Sequence, residues 1–261
     1  MINHSRFFLP TSNALNDPFE FRPTHQPSSI PDTLSALKAR FGSRPIISRD
    51  RASQLQGRTL ARGEYRRGIG RHKPNFKTAQ FEIKTAKGTF AELPKHARLA
   101  CFSENLQSVP MWGHYSNNHK GICLQFALEI NDQTRIEEVL PLPVEYSDCR
   151  PVVTTIDLMN FTRRGSDDEQ VDGIADKVFG ALYLTKPKDW EYEREWRIFI
   201  SSEAAPKYHH APMLKPVALY FGVRADPETI SRTVSEFGTK VDIYSSEISP
   251  DRFGFEFSKR N

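Results

Sequence analysis

Trp190-Glu191-Tyr192-Glu193-Arg194-Glu195-Trp196-Arg197-Ile198-Phe199-Ile200 is the stretch on which the reading of the fold turns. From Glu195 onward the residue types alternate. Trp196, Ile198 and Ile200 fall on one side and Glu195 and Arg197 on the other, which is the period of two of a β-strand. Trp190, Trp196 and Ile198 mark the strand as packed, so its carboxylates belong near a core or a cleft. In an extended chain Glu193 and Glu195 project to the same face. Two carboxylates on one edge suit chemistry that develops positive charge, one stabilising the cation while the other orients a nucleophile. Alternating Glu and Arg also suit a surface strand with cross-strand ion pairs.

Outward from this stretch, short apolar runs recur with few helices between them. Leu99–Ser103 reads as a strand, and Ile122, Leu124 and Phe126 alternate inward along Gly121–Phe126. Val144–Tyr146, Val217–Val223, Val241–Tyr244 and Phe253–Phe257 complete the strands. One helix is expected from Pro31 to Gly42, with Leu34, Leu37 and Phe41 on one face. A second starts after Ser108 as cap and runs over 109–119, a third covers 169–185, and a fourth runs from Asp226-Pro227 to Gly238. Such a pattern predicts an α+β fold on a largely antiparallel sheet.

The 261 residues are 38% hydrophobic and 26% charged, with a mean hydropathy of −0.55. That is enough for a core, and no window approaches the roughly 20 apolar residues of a membrane span. Cys101, Cys123 and Cys149 are too few for a disulfide framework, and the first residues form no apolar signal region. A cytoplasmic protein without membrane contact is therefore expected.

The net charge of +4 hides an asymmetry. Residues 35–100 carry 16 Lys/Arg against 4 Asp/Glu, a balance of +12, while the remainder carries 20 against 28, a balance of −8. A concentrated basic block is the footprint of an anionic partner, nucleic acid first; it also suits a solvated surface or docking onto the acidic remainder. Residues 43–96 show weak apolar periodicity, with Gln80–Thr85 the one clear alternation, and read as short helices and loops. The expected organisation is a single domain over 1–261 with a basic, Arg-rich insertion at about 35–97. Arg62, Arg66, Arg67 and Arg71, with Tyr65, Phe76 and Phe81 interspersed, suit a single strand: guanidinium groups on phosphates, rings on bases.

Two further constellations stand out. Asn16-Asp17-Pro18-Phe19-Glu20 follows Arg6-Phe7-Phe8-Leu9, and Asn-Asp-Pro is a turn maker, so it is a structural turn or a binding loop. Cys101-Phe102-Ser103 precedes Trp112-Gly113-His114-Tyr115 and His119-Lys120-Gly121. On a continuous helix Trp112, Tyr115 and His119 share a face, which serves equally to sandwich a flat ring or to fill a core. Phosphate-binding loops, dinucleotide fingerprints, His-Glu-x-x-His and Cys-x-x-Cys do not occur. His114 and His119 stand about 140° apart around a helix, and no metal is expected.

Taken in order, Asn16–Glu20, Cys101–Ser103, Met111–Gly121 and Trp190–Arg197 resemble the motifs of a bacterial and prophage family classed as a domain of unknown function. The layout is similar to a diverged ADP-ribosyltransferase. That resemblance implies a split, mostly antiparallel sheet with flanking helices and a cleft for NAD, which is consumed as substrate without a metal. It implies that Glu195 stabilises the positive charge on the ribose as nicotinamide leaves, and that Glu193 orients the nucleophile. Tyr115 and Trp112 would stack on nicotinamide with His119 beside them, Ser103 would bond the ribose, and Asn16 or Arg6 would hold the dinucleotide. Relatives usually carry a Tyr/Lys-rich strand ahead of Asn-Asp-Pro; here Met1–Leu9 precede the motif, so the group expected on that strand is either missing or replaced by His4 or Arg6. The resemblance further implies a toxin or phage-defence effector that modifies a macromolecule, with an antitoxin or other defence protein as partner. The basic block points to nucleic acid as acceptor, RNA ahead of DNA. The rival reading is a non-catalytic nucleic-acid-binding protein, which would release no nicotinamide from NAD.

Overall fold

A computed structural model describes residues 6–11, 15–41, 74–129, 141–161, 177–201, 208–210, 213–237 and 240–260. His4, Arg62, Tyr65, Arg66, Arg67 and Arg71 lie outside these residues, as does the side chain of Arg6.

In chain order the first elements are β1 (Arg6–Phe8), β2 (Thr24–Gln26), α1 (Ile30–Phe41), α2 (Phe76–Glu92), β3 (Ala97–Ser103), α3 (Val109–Tyr115) and β4 (Ile122–Leu128). There follow β5 (Leu142–Pro143), β6 (Glu145–Ser147), β7 (Val152–Thr154), α4 (Thr155–Phe161), β8 (Thr185–Pro187) and a 3-10 turn over Lys188–Glu193. The chain ends with β9 (Glu195–Ser201), β10 (Tyr208–His210), β11 (Leu214–Phe221), α5 (Pro227–Phe237), β12 (Asp242–Ile248) and β13 (Phe255–Lys259). The class is α+β, as the alternation of short strands required. Among the described residues the strands form five separate sheets, and the pairs β11–β12 and β2–β7 are parallel. No helix among those residues is long and apolar enough to cross a membrane.

Two units make up the chain. The first comprises Met1–Glu20, His96–Asp148 and Lys186–Asn261, the second Phe21–Lys95 and Cys149–Thr185. The insertion expected at about 35–97 falls largely in the second, which also takes in 149–185.

In the first unit β9 is the central strand of a sheet ordered β3-β9-β5, antiparallel throughout. The register sets Cys101 opposite Arg197, Phe102 opposite Trp196 and Ser103 opposite Glu195. The apolar side of β9 feeds a core of Ile198, Met213 and Leu214, against which Ala100, Phe102 and Phe126 pack. A second sheet, β13-β12-β11-β4, is covered on one face by α5. Leu219, Phe221, Phe237 and Ile243 are buried there. Helix α5 starts where the sequence demands it: the Asp226 carboxylate accepts the Thr229 amide at 2.8 Å and Pro227 opens the first turn. Between Pro216 and Ala218 the register of β11 on β4 slips, at the one residue that cannot donate to the ladder.

In the second unit α1, α2 and α4 enclose Leu37, Ala79 and Met159, and residues 177–183 are helical. Helix α2 corrects the reading of 76–92 as short pieces. Asn75 and Thr78 form a reciprocal capping box, and the helix runs unbroken through Gln80–Thr85. Its buried residues Ala79 and Ala86 stand seven apart, so the small groups facing the core set the period. The bulkier alternation of Phe81 and Ile83 does not.

Candidate active site

Every charged group at the centre of the first unit is there for a local reason. Asp17 closes the Asn-Asp-Pro turn by accepting the Phe19 amide at 2.9 Å, and the turn delivers Glu20 inward. Lys186 comes from β8 and Arg197 from β9. Glu193 is the last residue of the 3-10 turn, and Arg194 after it is left-handed, with φ 43. Glu193 is thus not in the strand, contrary to the expectation. The reversal at Arg194 brings the two glutamates together, not strand alternation. Residues 103–105 clamp this turn: the Ser103 hydroxyl donates to the Glu193 carbonyl at 2.5 Å, and the Glu104 amide donates to the Arg194 carbonyl at 3.2 Å.

Together these residues form a buried ionic cluster. Arg197 is 0% exposed and forks to two carboxylates. It donates to Glu20 at 3.0 and 2.5 Å and to Glu195 at 2.8 and 3.0 Å. Lys186 Nζ donates to Glu193 at 2.5 Å and to Glu195 at 3.1 Å, and lies 3.7 Å from Glu20. The Tyr115 hydroxyl donates to Glu193 Oε1 at 2.8 Å, and the Glu195 amide donates to the Tyr146 hydroxyl at 2.8 Å. Three carboxylates face two cations, so the cluster carries a formal charge of −1 when all are ionised.

Burial opposes the ionisation of Glu195, but the hydrogen bonds and charge of Arg197, with Lys186, outweigh it and pull the carboxyl down to about 2. Burial prevails at Glu20, which lies above the ordinary carboxylate range despite its fork to Arg197; of these two acids it takes a proton first as pH falls. Lys186 is raised because Glu195, Glu193 and Glu20 outweigh its burial, so it stays an ammonium. Burial and then the Glu193 carboxylate raise Tyr115, which remains a phenol donor. Cys101 is exposed at the cavity, and its thiol is raised well above its usual value by desolvation and then by the Glu195 charge. It is no ready nucleophile.

A cavity of about 1170 Å³ opens over this cluster. Glu193, Glu195, Lys186, Cys101 and Ser103 line it, with Tyr115, Trp112 and Trp196 as aromatic walls and Asn16, Asp17 and Glu20 at one side. The volume lies just above the range of about 300–1,000 Å³ usual for small-molecule sites, enough for a dinucleotide.

Of the residues expected at the site, Asn16, Ser103, Trp112, Tyr115, Glu193 and Glu195 all line this cavity. Trp112 is also core: it is 5% exposed, packs on Phe255 and Phe257, and donates its indole N–H to the Leu106 carbonyl at 2.8 Å. His119 is not on a shared helical face. Helix α3 stops at Tyr115, and Asn117, Asn118 and His119 are left-handed, with φ 50, 54 and 67. His119 packs against Phe255 instead, and its backbone comes so close to Gly222 that a Cβ there would sit 2.2 Å from the His119 carbonyl oxygen. Ser108 holds the N-cap position of α3, but its hydroxyl makes no cap bond. Backbone pairing sets Arg6 opposite His210.

Sequence reasoning missed Glu20, Lys186 and Arg197 as members of the cluster. Glu20 and Arg197 lay in the quoted motifs; Lys186 had no signal beyond being one of two lysines flanking Pro187. Among the described residues no group of His, Cys, Asp and Glu is arranged to hold a metal ion.

No curated protein and no solved structure matches the chain. One protein-family model does match: residues 111–198, about a third of the chain, carry a domain described as a protein of unknown function, DUF2971, which takes in the site from Tyr115 to Arg197.

Proposed function

We propose that the first unit is an NAD-consuming ADP-ribosyltransferase. One observation carries the reading: two buried, hydrogen-bonded carboxylates, Glu193 and Glu195, stand in the wall of a dinucleotide-sized cavity between aromatic side chains. A carboxylate held ionised in a poorly solvated site stabilises a positive charge that develops beside it, at no cost of reorganisation. In the transfer, the bond from ribose C1′ to the nicotinamide nitrogen breaks with its electron pair leaving on nicotinamide. The acceptor forms the new bond to C1′ and gives up its proton to solvent.

The two glutamates divide this work unevenly. A carboxylate offers about four acceptor positions. Glu195 receives three N–H groups from Arg197 and Lys186 and has one position left. Glu193 receives Tyr115 and Lys186 and keeps capacity for a substrate hydroxyl. Glu193 is therefore the residue to touch the ribose. Glu195 supplies field and holds Lys186 in place, whereas the resemblance implied that Glu195 faces the ribose and Glu193 the nucleophile. Tyr115 and Trp112 offer ring faces or edges for nicotinamide. The acceptor is nucleic acid, a reading that rests on the balance of +12 over residues 35–100.

Labelled NAD incubated with the protein and a cell lysate tests this reading. Label that nuclease treatment removes is expected. Label confined to protein would reject the nucleic-acid acceptor, and no labelling of either kind would reject the transferase.

A further inference from the structure

We propose that a second, smaller cavity of the first unit, lined by Asp17, Phe19, Asp189, Trp190 and Tyr192, binds a guanine base of the acceptor. The inference rests on the transferase reading and names the base edge that the protein would hold beside Glu193. The cavity measures about 320 Å³, the size of a site for one planar ring system. It gathers motif residues that the ionic cluster leaves unused, and Asp17 lines both cavities, so the two sites adjoin.

Its walls are aromatic. Trp190 and Tyr192 have ring centroids 6.1 Å apart with planes at 35°, and Phe19 is 55% exposed. Lys186 Nζ lies over the Trp190 ring, 4.7 Å from its centroid. An indole already polarised by one cation favours an electron-rich ring over a second cation. The carboxylates of Asp17 and Asp189 are the acceptors, beside the donors of the Tyr192 hydroxyl and the Trp190 indole N–H. Asp17 is 5% exposed; its Oδ1 takes the Phe19 amide, and its buried Oδ2 has no hydrogen-bond partner among the described residues. Asp189 adds an exposed carboxylate. Two carboxylates call for a base edge with adjacent donors, and guanine offers N1–H beside its N2 amino group. Adenine and cytosine set an acceptor next to their amino group, and uracil flanks its single N–H with carbonyls.

Calorimetric titration without NAD, using the RNA pentamers UUGUU, UUAUU, UUCUU and UUUUU, tests the proposal. The wild type is expected to bind UUGUU about tenfold tighter than the other three. Asp17→Asn keeps the cap through Oδ1 but turns the unpartnered acceptor into a donor, and should abolish that preference. Asp189→Asn, on the surface, should weaken it and serves if the first variant fails to fold. Equal binding of the four pentamers overturns the proposal. So does a variant that folds and keeps the full preference, or displacement of the pentamers by an arginine peptide that itself binds more tightly. Guanine preference without nicotinamide release from NAD would reject the transferase reading alone; release without the preference would reject the base site alone.

Discussion

Replacing Glu195 by Gln removes one negative charge from between Arg197 and Lys186. The folded carboxyl sits at about 2 against an ordinary value of 4.5, a depression of about 2.5 units. At about 1.4 kcal/mol per unit, the charged form gains about 3 kcal/mol from its folded surroundings. Glu195 is 5% exposed, so solvent screening takes little from this figure. The sign follows from the depression. The contribution is complete above the unfolded value near 4.5 and is lost as pH falls through about 2. Urea unfolding of wild type and E195Q at a series of pH values reads the difference directly. It should be about 3 kcal/mol at pH 7 and less than half of that near pH 3. Glu20, whose pKa is raised, acts in the opposite direction over the same acid range, but it is present in both proteins and largely cancels in the difference. A difference below about 1 kcal/mol at pH 7, or one that stays constant down to pH 3, would refute the ionic account of this cluster.

Three more outcomes are expected. Tyr115→Phe removes the hydroxyl on Glu193; because the side chain is half exposed, the stability loss should be about 1 kcal/mol or less, while nicotinamide release falls severalfold. Trp112→Ala should cost about 3–5 kcal/mol in chemical denaturation, since the indole fills a core against Phe255 and Phe257; a loss under 1 kcal/mol would make it a pure ligand platform. Cys101 should alkylate slowly at pH 7 and accelerate only in strongly alkaline buffer, because its thiol is raised well above the usual value; rapid modification at pH 7 would contradict that shift.

Local chemistry made much of this fold legible. The alternation of Trp196, Ile198 and Ile200 announced β9, and Asp226-Pro227 announced α5 to within a residue. Where the reading failed, a short-range cue had been outweighed by apolar pattern. The alternation at 80–85 suggests short pieces, whereas the Asn75/Thr78 capping box opens a helix that runs through it. The doublet Asn117-Asn118 is a stop signal, since Asn tolerates the left-handed region, and it cuts the aromatic spacing before His119. The ionic cluster is a different matter. Glu20 and Arg197 are 177 residues apart in the chain, and no periodicity links them. Their pairing follows from the β3–β9 register and from the turn that Asp17 closes. Even the spacing of Glu193 and Glu195 pointed the right way for the wrong reason, because the left-handed Arg194 and not the strand pleat makes them neighbours.

Nicotinamide released from NAD by the purified chain, wild type against Glu193→Gln, tests the central claim most directly. Gln keeps the shape and an acceptor for Tyr115 but lacks the charge that would face the ribose. The wild type should release nicotinamide, and the variant should do so about 10²-fold more slowly while unfolding cooperatively like the wild type. Release that is absent from the wild type, or equal in the two proteins, would contradict the claim that this cavity carries NAD chemistry on Glu193.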